Sequence, residues 1–170
     1  MRPIILIGYM GAGKTTVGKL LARQQELAFY DTDAMIEAHE GRRISDIFAD
    51  EGEECFRNME TSLIKELIEK KLSDAVLSVG GGLPVREENR RLLKELGTVI
   101  YLTASRETII ERVSGSEDRP LLQGENLSEK IERMLSVRGP LYEEAADILV
   151  NTDQKTSDEL VKEIAYAIKK

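Results

Sequence analysis

The chain has 170 residues, of which 41% are hydrophobic and 32% are charged, so it is long enough to bury the core of one globular domain. Its formal net charge of −7 argues against a general nucleic-acid-binding or membrane-surface protein, since both need a basic surface. No apolar run approaches the roughly 18–20 residues that cross a bilayer, and a single cysteine, Cys55, excludes an internal disulfide. We therefore expect one cytoplasmic domain without a membrane or nucleic-acid partner.

Short apolar runs alternate with amphipathic segments along the whole chain. In chain order we predict a strand at Ile4–Ile7, a helix at Lys14–Gln25, a strand at Leu27–Tyr30, helices through Thr32–Lys71 with breaks near Gly41 and Gly52, a strand at Ala75–Val79 and a helix at Glu87–Leu96 that ends at Gly97. We then predict a strand at Val99–Leu102, a helix from Ser105 to about Val113, a mobile loop at Ser114–Glu125, a helix at Leu127–Ala145 that is interrupted at Arg138–Tyr142, a strand at Ile148–Val150 and a helix at Ser157–Lys169. This alternation predicts an α/β fold with a parallel sheet covered on both faces, and ligands in such sheets bind beyond the carboxyl ends of the strands.

The segment Gly8–Thr15 follows the first predicted strand and matches the phosphate-loop pattern G-x-x-x-x-G-K-[ST] in full. Its glycines allow successive N–H groups to surround a phosphate, and the following helix adds positive potential at its N-terminus. The lysine of this pattern reaches the β- and γ-phosphates, and the threonine hydroxyl ligates Mg²⁺. A chance match in a glycine-rich turn is disfavoured by the strand before it and the amphipathic helix after it. The residues that we expect to contact ATP here are Gly11, Ala12, Gly13, Lys14, Thr15 and Thr16, and we expect Lys14 to be catalytic.

The phosphate loop alone does not identify the phosphate acceptor, because GTPases, motor ATPases and metabolite kinases share it. The chain is short and lacks the base-reading motif N-K-x-D of GTPases, which favours a small kinase. Asp31 and Asp33 follow the second predicted strand and point in different directions. One can act on Mg²⁺ through water while the other faces the acceptor hydroxyl, and the alternative for either is that it caps the next helix.

Three further features are candidates for binding an anionic acceptor, and each has a plainer structural explanation. Arg57 and Glu60 are three residues apart on a helix, and the sequence favours a surface ion pair between them. Gly80–Gly82 allows a ligand to approach backbone N–H groups closely, although a simple turn is the alternative. Arg119 lies in the long loop, where it can neutralise charge on a transferred phosphoryl group, whereas a lone arginine such as Arg119 or Arg138 is by default solvated.

Taken together, these segments resemble the shikimate kinase family, which has a P-loop fold like that of the nucleoside-monophosphate kinases. The resemblance covers nearly the whole chain and consists of six motifs in order: G-x-M-G-x-G-K-T at Gly8–Thr15, D-T-D at Asp31–Asp33, F-R-x-x-E at Phe56–Glu60, G-G-G at Gly80–Gly82, R-P-L-L at Arg119–Leu122 and R-x-P-L-Y at Arg138–Tyr142. Only the phosphate loop is specific by itself, but six motifs in this order are strongly specific.

The resemblance implies a three-layer α/β/α fold with a five-stranded parallel sheet in the order 2-3-1-4-5. It implies one kinase domain over residues 1–170, with an acceptor-binding helical segment at about 32–61 and a lid at about 113–125. The implied reaction transfers the γ-phosphate of ATP, with Mg²⁺ present, to the 3-hydroxyl of shikimate in aromatic amino-acid biosynthesis. We expect the enzyme to act as a monomer.

The resemblance also implies roles at the acceptor side of the site. Asp33 would hold the ring hydroxyls and accept the proton of the attacking one. Arg57 and Arg138 would bind the shikimate carboxylate, which a guanidinium matches with two parallel hydrogen bonds. Gly80, Gly81 and Gly82 would line the acceptor pocket with backbone donors.

On the nucleotide side, the resemblance implies that Arg119 closes over the phosphates as a catalytic residue and that Arg112 lies against the adenine. Asp31 would act on Mg²⁺ through a coordinated water. Near the adenine we place Lys155, with Gln154 as the alternative that the local spacing leaves open.

Two other functions remain open at this point. A related kinase, for example one for gluconate, would share the phosphate loop but would not need Arg57, Gly80–Gly82 and Arg138 together. A nucleotide-binding regulatory protein could keep the same fold, although the intact Lys14 and Asp33 argue against it.

Overall fold

The computed structural model describes residues 1–114 and 127–170. Within these ranges the chain forms five strands, eight α-helices and one turn of 3-10 helix. In chain order they are β1 (Ile4–Ile7), α1 (Lys14–Gln24), β2 (Ala28–Asp31), α2 (Thr32–Glu40), α3 (Ile44–Glu51), α4 (Glu53–Glu69), β3 (Ala75–Ser78), the 3-10 turn (Leu83–Val85), α5 (Glu87–Leu96), β4 (Thr98–Thr103), α6 (Arg106–Ser114), α7 (Leu127–Ala145), β5 (Ile148–Asn151) and α8 (Ser157–Ala167). No helix in the described ranges is both long enough and apolar enough to cross a membrane.

All five strands pair in parallel in the order β2-β3-β1-β4-β5, which confirms the expected fold and strand order. β1 lies in the centre, and all four of its residues are buried because helices cover both faces of the sheet. Leu6 of β1 is in register with Ser78 of β3, and the N–H of Val79 extends the pairing with a 3.1 Å bond to the Leu6 carbonyl. The segments that follow β1 and β3 therefore leave the sheet side by side.

The two faces of β1 belong to two separate hydrophobic cores, because successive side chains of a strand point to opposite sides. Ile4 and Leu6 face a cluster built with α1 and α8, and Ile5 and Ile7 face a cluster built with α4, α5 and α7. The sheet and these two helical layers form the three-layer arrangement that was expected.

A third and smaller hydrophobic cluster lies apart from these two layers. It consists of the buried residues Ile36, Ile47 and Phe56, which join α2, α3 and α4. These helices correspond to the helical stretch that the sequence predicts between residues 32 and 71, with breaks near Gly41 and Gly52.

The predicted elements lie within one or two residues of their observed bounds, but one prediction about a helix is wrong. α7 continues without interruption through Pro140. A proline inside a helix removes one hydrogen bond and crowds the preceding turn, yet buried Ile131 and Tyr142 hold the two halves of α7 against the same core. Of the loop predicted at Ser114–Glu125, Ser114 ends α6 and the remainder lies outside the described residues.

Gly97 provides a test of how tightly the chain packs between α5 and β4. Its backbone is extended, but a Cβ atom here would overlap the Pro3 carbonyl and would lie 3.1 Å from Cδ1 of Ile5. We expect Gly97→Ala to lower the free energy of unfolding by about 1–3 kcal/mol, as overpacked core substitutions do. Urea denaturation of the purified chain measures this change.

Gly139→Ala is the control, because a Cβ atom at Gly139 in α7 would meet nothing within 4 Å outside its two chain neighbours. Alanine is the better helix former but is crowded by the ring of Pro140, so this variant should change the free energy of unfolding by less than about 1 kcal/mol. Equal stability of the Gly97→Ala variant and the unmodified chain would contradict the packing argument.

Candidate active site

A cavity of about 890 Å³ opens beside the carboxyl ends of β1, β2 and β3. Its volume is typical of sites that bind metabolites or nucleotides. Residues that the sequence predicts as functional make up much of its lining: Gly11, Gly13, Lys14, Thr15, Thr16, Asp31, Asp33, Arg57, Gly80, Gly81, Gly82, Arg112 and Arg138. Ala12 is buried behind this lining, Lys155 lies in a neighbouring cavity, and Arg119 lies outside the described residues.

The lining concentrates positive charge in an acidic chain. Five lysine and arginine side chains and four aspartate and glutamate side chains line the cavity, whereas the whole chain has 24 of the former and 31 of the latter. The cavity is therefore suited to anions, whose binding such local positive potential favours.

The glycines of the phosphate loop adopt conformations that other residues rarely take. Gly11 has a φ of 80° and Gly13, which precedes α1, has a φ of 91°. Both values lie in the left-handed region, where a residue without a side chain is not strained. A Cβ atom at Gly11 would lie 3.2 Å from the Val113 side chain, so α6 packs directly against the loop.

Polar groups of the phosphate loop are bonded within the loop itself. Ala12 donates its N–H to the Tyr9 carbonyl at 3.1 Å. The ammonium of Lys14 donates to the Gly8 carbonyl at 2.6 Å and to the Tyr9 carbonyl at 3.3 Å. This lysine therefore lies across the loop, beside the space that a phosphate would occupy.

Asp31 and Asp33 both line the cavity, but their carboxylates make different contacts. Asp31 caps α2, since its Oδ1 accepts the N–H of Ala34 at 3.0 Å, so the capping alternative holds for this residue. Asp33 faces Gly80, where a Cβ atom would lie 2.7 Å from the Oδ1 of Asp33. Burial, reinforced by Asp31 and opposed by Lys14, raises the pKa of Asp33 to about 6. A carboxyl group that titrates near neutrality is suited to accept a proton from a ligand.

Arg57 and Glu60 form an ion pair on α4, but the prediction that this pair lies on the surface is wrong. Nη1 of Arg57 donates to Oε1 of Glu60 at 2.6 Å, and the glutamate side chain is 1% exposed. Both residues lie on the face of α4 that lines the cavity, which their spacing on the helix does not reveal. Burial raises the pKa of Glu60 to about 7, although Arg57 lowers it. Oε2 of Glu60 has no hydrogen-bond partner among the described residues.

The triglycine segment, Gly80–Gly82, lies against two of the cationic side chains. A Cβ atom at Gly82 would overlap the Arg57 guanidinium, and one at Gly81 would lie 3.5 Å from Nη1 of Arg138. Gly80 does not offer its N–H to a ligand, because that group donates to the Thr32 hydroxyl at 3.0 Å. Of the backbone donors expected here, those of Gly81 and Gly82 remain.

Arg112 joins the phosphate loop to the segment that follows β5. Its Nη1 donates to the Gly11 carbonyl at 2.9 Å and its Nη2 to the Thr152 carbonyl at 3.3 Å. Arg112 also borders a second cavity whose lining includes Gln154 and Lys155. Gln154 and Lys155, the two residues that the sequence offers for the adenine, thus line the same cavity. The Lys155 ammonium donates to Glu163 of α8 at 2.7 Å.

Sequence reasoning missed Thr32 and Tyr142 as part of the site. The Thr32 hydroxyl accepts from Gly80, and the Tyr142 hydroxyl donates to the Gly81 carbonyl at 2.6 Å. Both residues stand inside motifs that the sequence singles out. The signal that could have found them was a hydroxyl side chain beside a charged residue, for Thr32, or one helical turn after it, for Tyr142.

Comparisons with known proteins agree on one family. The family model described as shikimate kinase matches residues 10–169. A shikimate kinase of Chromobacterium violaceum is 47% identical over 156 residues, which cover 92% of this chain and 84% of that protein. A structure of shikimate kinase from Acinetobacter baumannii in complex with shikimate is similar with a TM-score of 0.90 and 40% identity, covering 99% of this chain and 93% of that one. Shikimate kinase from Aquifex aeolicus is similar with a TM-score of 0.84 and 38% identity, covering 98% and 96%.

Glu60 provides a test through the pH dependence of stability. Its pKa in the folded chain, about 7, exceeds the ordinary value of 4.5, so between these pH values the folded state binds more protons than the unfolded state. The free energy of unfolding should therefore fall as pH rises from about 4.5 to about 7. The fall should be weaker in the Glu60→Gln variant, because glutamine does not titrate. Urea denaturation at several pH values measures the free energy of unfolding of both proteins.

Glu53→Gln is the control for this prediction. This variant removes the other carboxylate that binds Arg57. The Glu53 side chain is 67% exposed, so its charge is already solvated. We expect this variant to follow the pH dependence of the unmodified chain. If Glu60→Gln did the same, burial of the Glu60 charge would not be the cause.

Proposed function

This chain belongs to the shikimate kinase family, and on that premise we propose that it transfers the γ-phosphate of ATP to the 3-hydroxyl of shikimate, forming shikimate 3-phosphate and ADP. The observation that carries the proposal is the grouping of Asp33, Arg57 and Arg138 around the triglycine segment, in the same cavity as the phosphate loop. A carboxylated polyol needs cations for its carboxylate and an acceptor for the proton of its hydroxyl, and these three side chains supply both.

The phosphate loop binds the donor nucleotide. ATP is the co-substrate of this family, and its phosphates would displace the Lys14 ammonium from the carbonyls of Gly8 and Tyr9. Lys14 would then stabilise the charge that develops on the transferred phosphoryl group. The adenine would lie beside Arg112, in the neighbouring cavity that also contains Lys155.

The donor set at the phosphate loop fits Mg²⁺. Thr15 and Asp31 both line the cavity, and Asp31 uses only Oδ1 to cap α2. The described residues contain no cluster of three or more histidine, cysteine or acidic side chains that could bind a metal by themselves. Mg²⁺ suits such a sparse site, since it takes one or two protein oxygens and completes its shell with water and phosphate oxygens. When bound, it neutralises charge on the β- and γ-phosphates.

The acceptor step begins with shikimate held by its carboxylate at Arg57 and Arg138. Asp33 orients the 3-hydroxyl and accepts its proton as the hydroxyl oxygen forms a bond to the γ-phosphorus. The bond from that phosphorus to the oxygen bridging it to the β-phosphate breaks, and ADP leaves with the electron pair of this bond. Most of the acceleration would come from alignment of the two substrates and from electrostatic stabilisation.

The phosphate loop, Asp33, Arg57 and Arg138 all come from this one chain, so the proposed reaction needs no residue of a second copy, and we propose a monomer as the active unit. A reaction that consumes ATP and a metabolite also supports a cytoplasmic location.

The function is tested by measuring ADP release with different acceptors. We expect release with shikimate to exceed release with gluconate, with a nucleoside monophosphate and without an acceptor. Preference for gluconate would indicate a related sugar-acid kinase, and no acceptor-dependent release would indicate a nucleotide-binding regulatory protein. Either result would overturn the proposal.

Asp33→Asn tests the proton acceptor. The amide is nearly the same size as the carboxylate but cannot take the hydroxyl proton, so turnover should fall by about 10²–10⁴-fold. Binding of a non-hydrolysable ATP analogue, measured by calorimetry, should remain within a few-fold of the unmodified chain. Unchanged turnover in the coupled assay would remove Asp33 from this role.

A further inference from the structure

The triglycine segment and the turn after it are held by three buried side chains. The Thr32 hydroxyl accepts the N–H of Gly80 at 3.0 Å, and the Tyr142 hydroxyl donates to the Gly81 carbonyl at 2.6 Å. Nδ2 of Asn89 donates to the carbonyl of Leu83, where the 3-10 turn begins, at 2.9 Å. Side chains of α2 and α7 thus bond to the triglycine segment itself, and a side chain of α5 bonds to the first residue of the turn that follows it.

The side chains that make these bonds connect the triglycine segment and its turn to the helices that carry Asp33, Arg57 and Arg138, two of them directly and one through a further residue. Thr32 precedes Asp33 in α2, and Tyr142 lies one helical turn after Arg138 in α7. The third connection runs through Thr61, which lies one turn after Arg57 in α4.

Thr61 connects α4 to Asn89 and therefore to the turn after the triglycine segment. Its Oγ1 lies 2.7 Å from Oδ1 of Asn89 and 3.1 Å from the Arg57 carbonyl, so its single hydrogen bonds to one of these two acceptors. Arg86 donates to the same hydroxyl at 3.1 Å. These contacts place the turn of α4 that carries Arg57 at a fixed distance from the triglycine segment.

The four side chains that make these bonds are buried, and the two bonds of Asn89 are buried at both ends, whereas the bonds to Gly80 and Gly81 end at the cavity wall. Thr32, Asn89 and Tyr142 are 0% exposed and Thr61 is 6% exposed. A buried polar group that loses its partner destabilises the arrangement, because nothing else satisfies it. Burial raises the pKa of Tyr142 to about 12, although the neighbouring Arg138 guanidinium lowers it. The Tyr142 hydroxyl therefore stays a neutral donor at physiological pH.

The triglycine segment touches all three acceptor-binding side chains closely enough for its position to matter. Cβ atoms at Gly80 and Gly81 would lie 2.7 Å from Oδ1 of Asp33 and 3.5 Å from Nη1 of Arg138, and one at Gly82 would overlap the Arg57 guanidinium. A displacement of the segment by a few tenths of an ångström would therefore change the spacing of these side chains.

We propose that Thr32, Thr61 and Tyr142 are positioning residues whose hydroxyl groups set the spacing of Asp33, Arg57 and Arg138 and thereby the affinity for the acceptor. They act through the triglycine segment and the turn after it, and in addition Tyr142 bonds to the Arg138 side chain and Thr61 to the Arg57 carbonyl. The inference rests on the proposed function, in which these three charged side chains bind shikimate. None of the three hydroxyls needs to touch the substrate. The Thr32 and Tyr142 hydroxyls bond to the triglycine segment and not to the phosphate-loop glycines, so we expect their loss to weaken the binding of shikimate more than the binding of ATP.

The test uses variants that remove a hydroxyl and little else: Tyr142→Phe, Thr32→Val and Thr61→Val. Tyr101→Phe is the matched control, since Tyr101 packs against Tyr142 with ring centroids 5.2 Å apart but does not bond to the triglycine segment. Dissociation constants for shikimate and for a non-hydrolysable ATP analogue are measured by calorimetry. We expect each of the three variants to weaken shikimate binding about five- to ten-fold, as the loss of one buried hydrogen bond does, while affinity for the ATP analogue falls less.

The double variant Thr32→Val with Tyr142→Phe separates positioning from a general loss of stability. Because both hydroxyls act on one segment, their effects on shikimate affinity should not be additive. If a threonine variant fails to fold, Tyr142→Phe carries the test alone.

Unchanged shikimate affinity in Tyr142→Phe, or equal losses for shikimate and the ATP analogue, would overturn the inference and leave the proposed function standing. Absence of shikimate binding by the unmodified chain would overturn the proposed function, and this inference with it.

Discussion

The parallel pairing of β1 with β3 is the constraint on which the rest of the site depends. Two neighbouring parallel strands end at the same edge of the sheet, so the segments that follow them must start side by side. After β1 the chain forms a loop whose glycines leave space for phosphate, and after β3 it forms three glycines that leave space for side chains from other elements. The phosphate loop and the triglycine segment are thus brought together by the backbone hydrogen bonds of the sheet, which end at the wall of the cavity.

Burial of charge gives the acceptor side its chemical character. Asp33 and Glu60 are carboxyl groups withdrawn from water, and burial raises the pKa of both. Arg57 and Arg138 occupy the same cavity and balance part of this negative charge. In the proposed function, such closely placed opposite charges would favour an acceptor that has both a carboxylate and hydroxyls over one that lacks either.

Much of the fold follows from local patterns in the sequence. The apolar run Ile4–Ile7 and the glycines after it predicted a strand followed by a phosphate loop, since both signals lie within a dozen residues, whereas the central place of this strand followed from the family resemblance. The orientation of α4 was not predictable in this way. Whether Glu60 faces water or the cavity depends on which elements pack over α4. The sequence spacing of Arg57 and Glu60 is the same for an exposed ion pair and for a buried one, so it cannot distinguish them.

The hydrogen-bond partners of the Thr32 and Tyr142 hydroxyls could not be predicted from the sequence for a related reason. Thr32 bonds to a residue 48 positions away, and Tyr142 bonds to one 61 positions away. Such pairs are defined only when the sheet and its helices have assembled. The continuity of α7 through Pro140 likewise depends on tertiary packing that outweighs a local preference.

The separate cluster of Ile36, Ile47 and Phe56 bears on how this architecture can diversify. These side chains give α2, α3 and α4 an apolar nucleus of their own, apart from the two cores that hold the sheet. Asp33 and Arg57 lie on helices that this nucleus joins, whereas Tyr9 and Ala12 of the phosphate loop pack in the two main cores. A change of side-chain volume in the small nucleus would therefore reach Asp33 and Arg57 more directly than the phosphate loop.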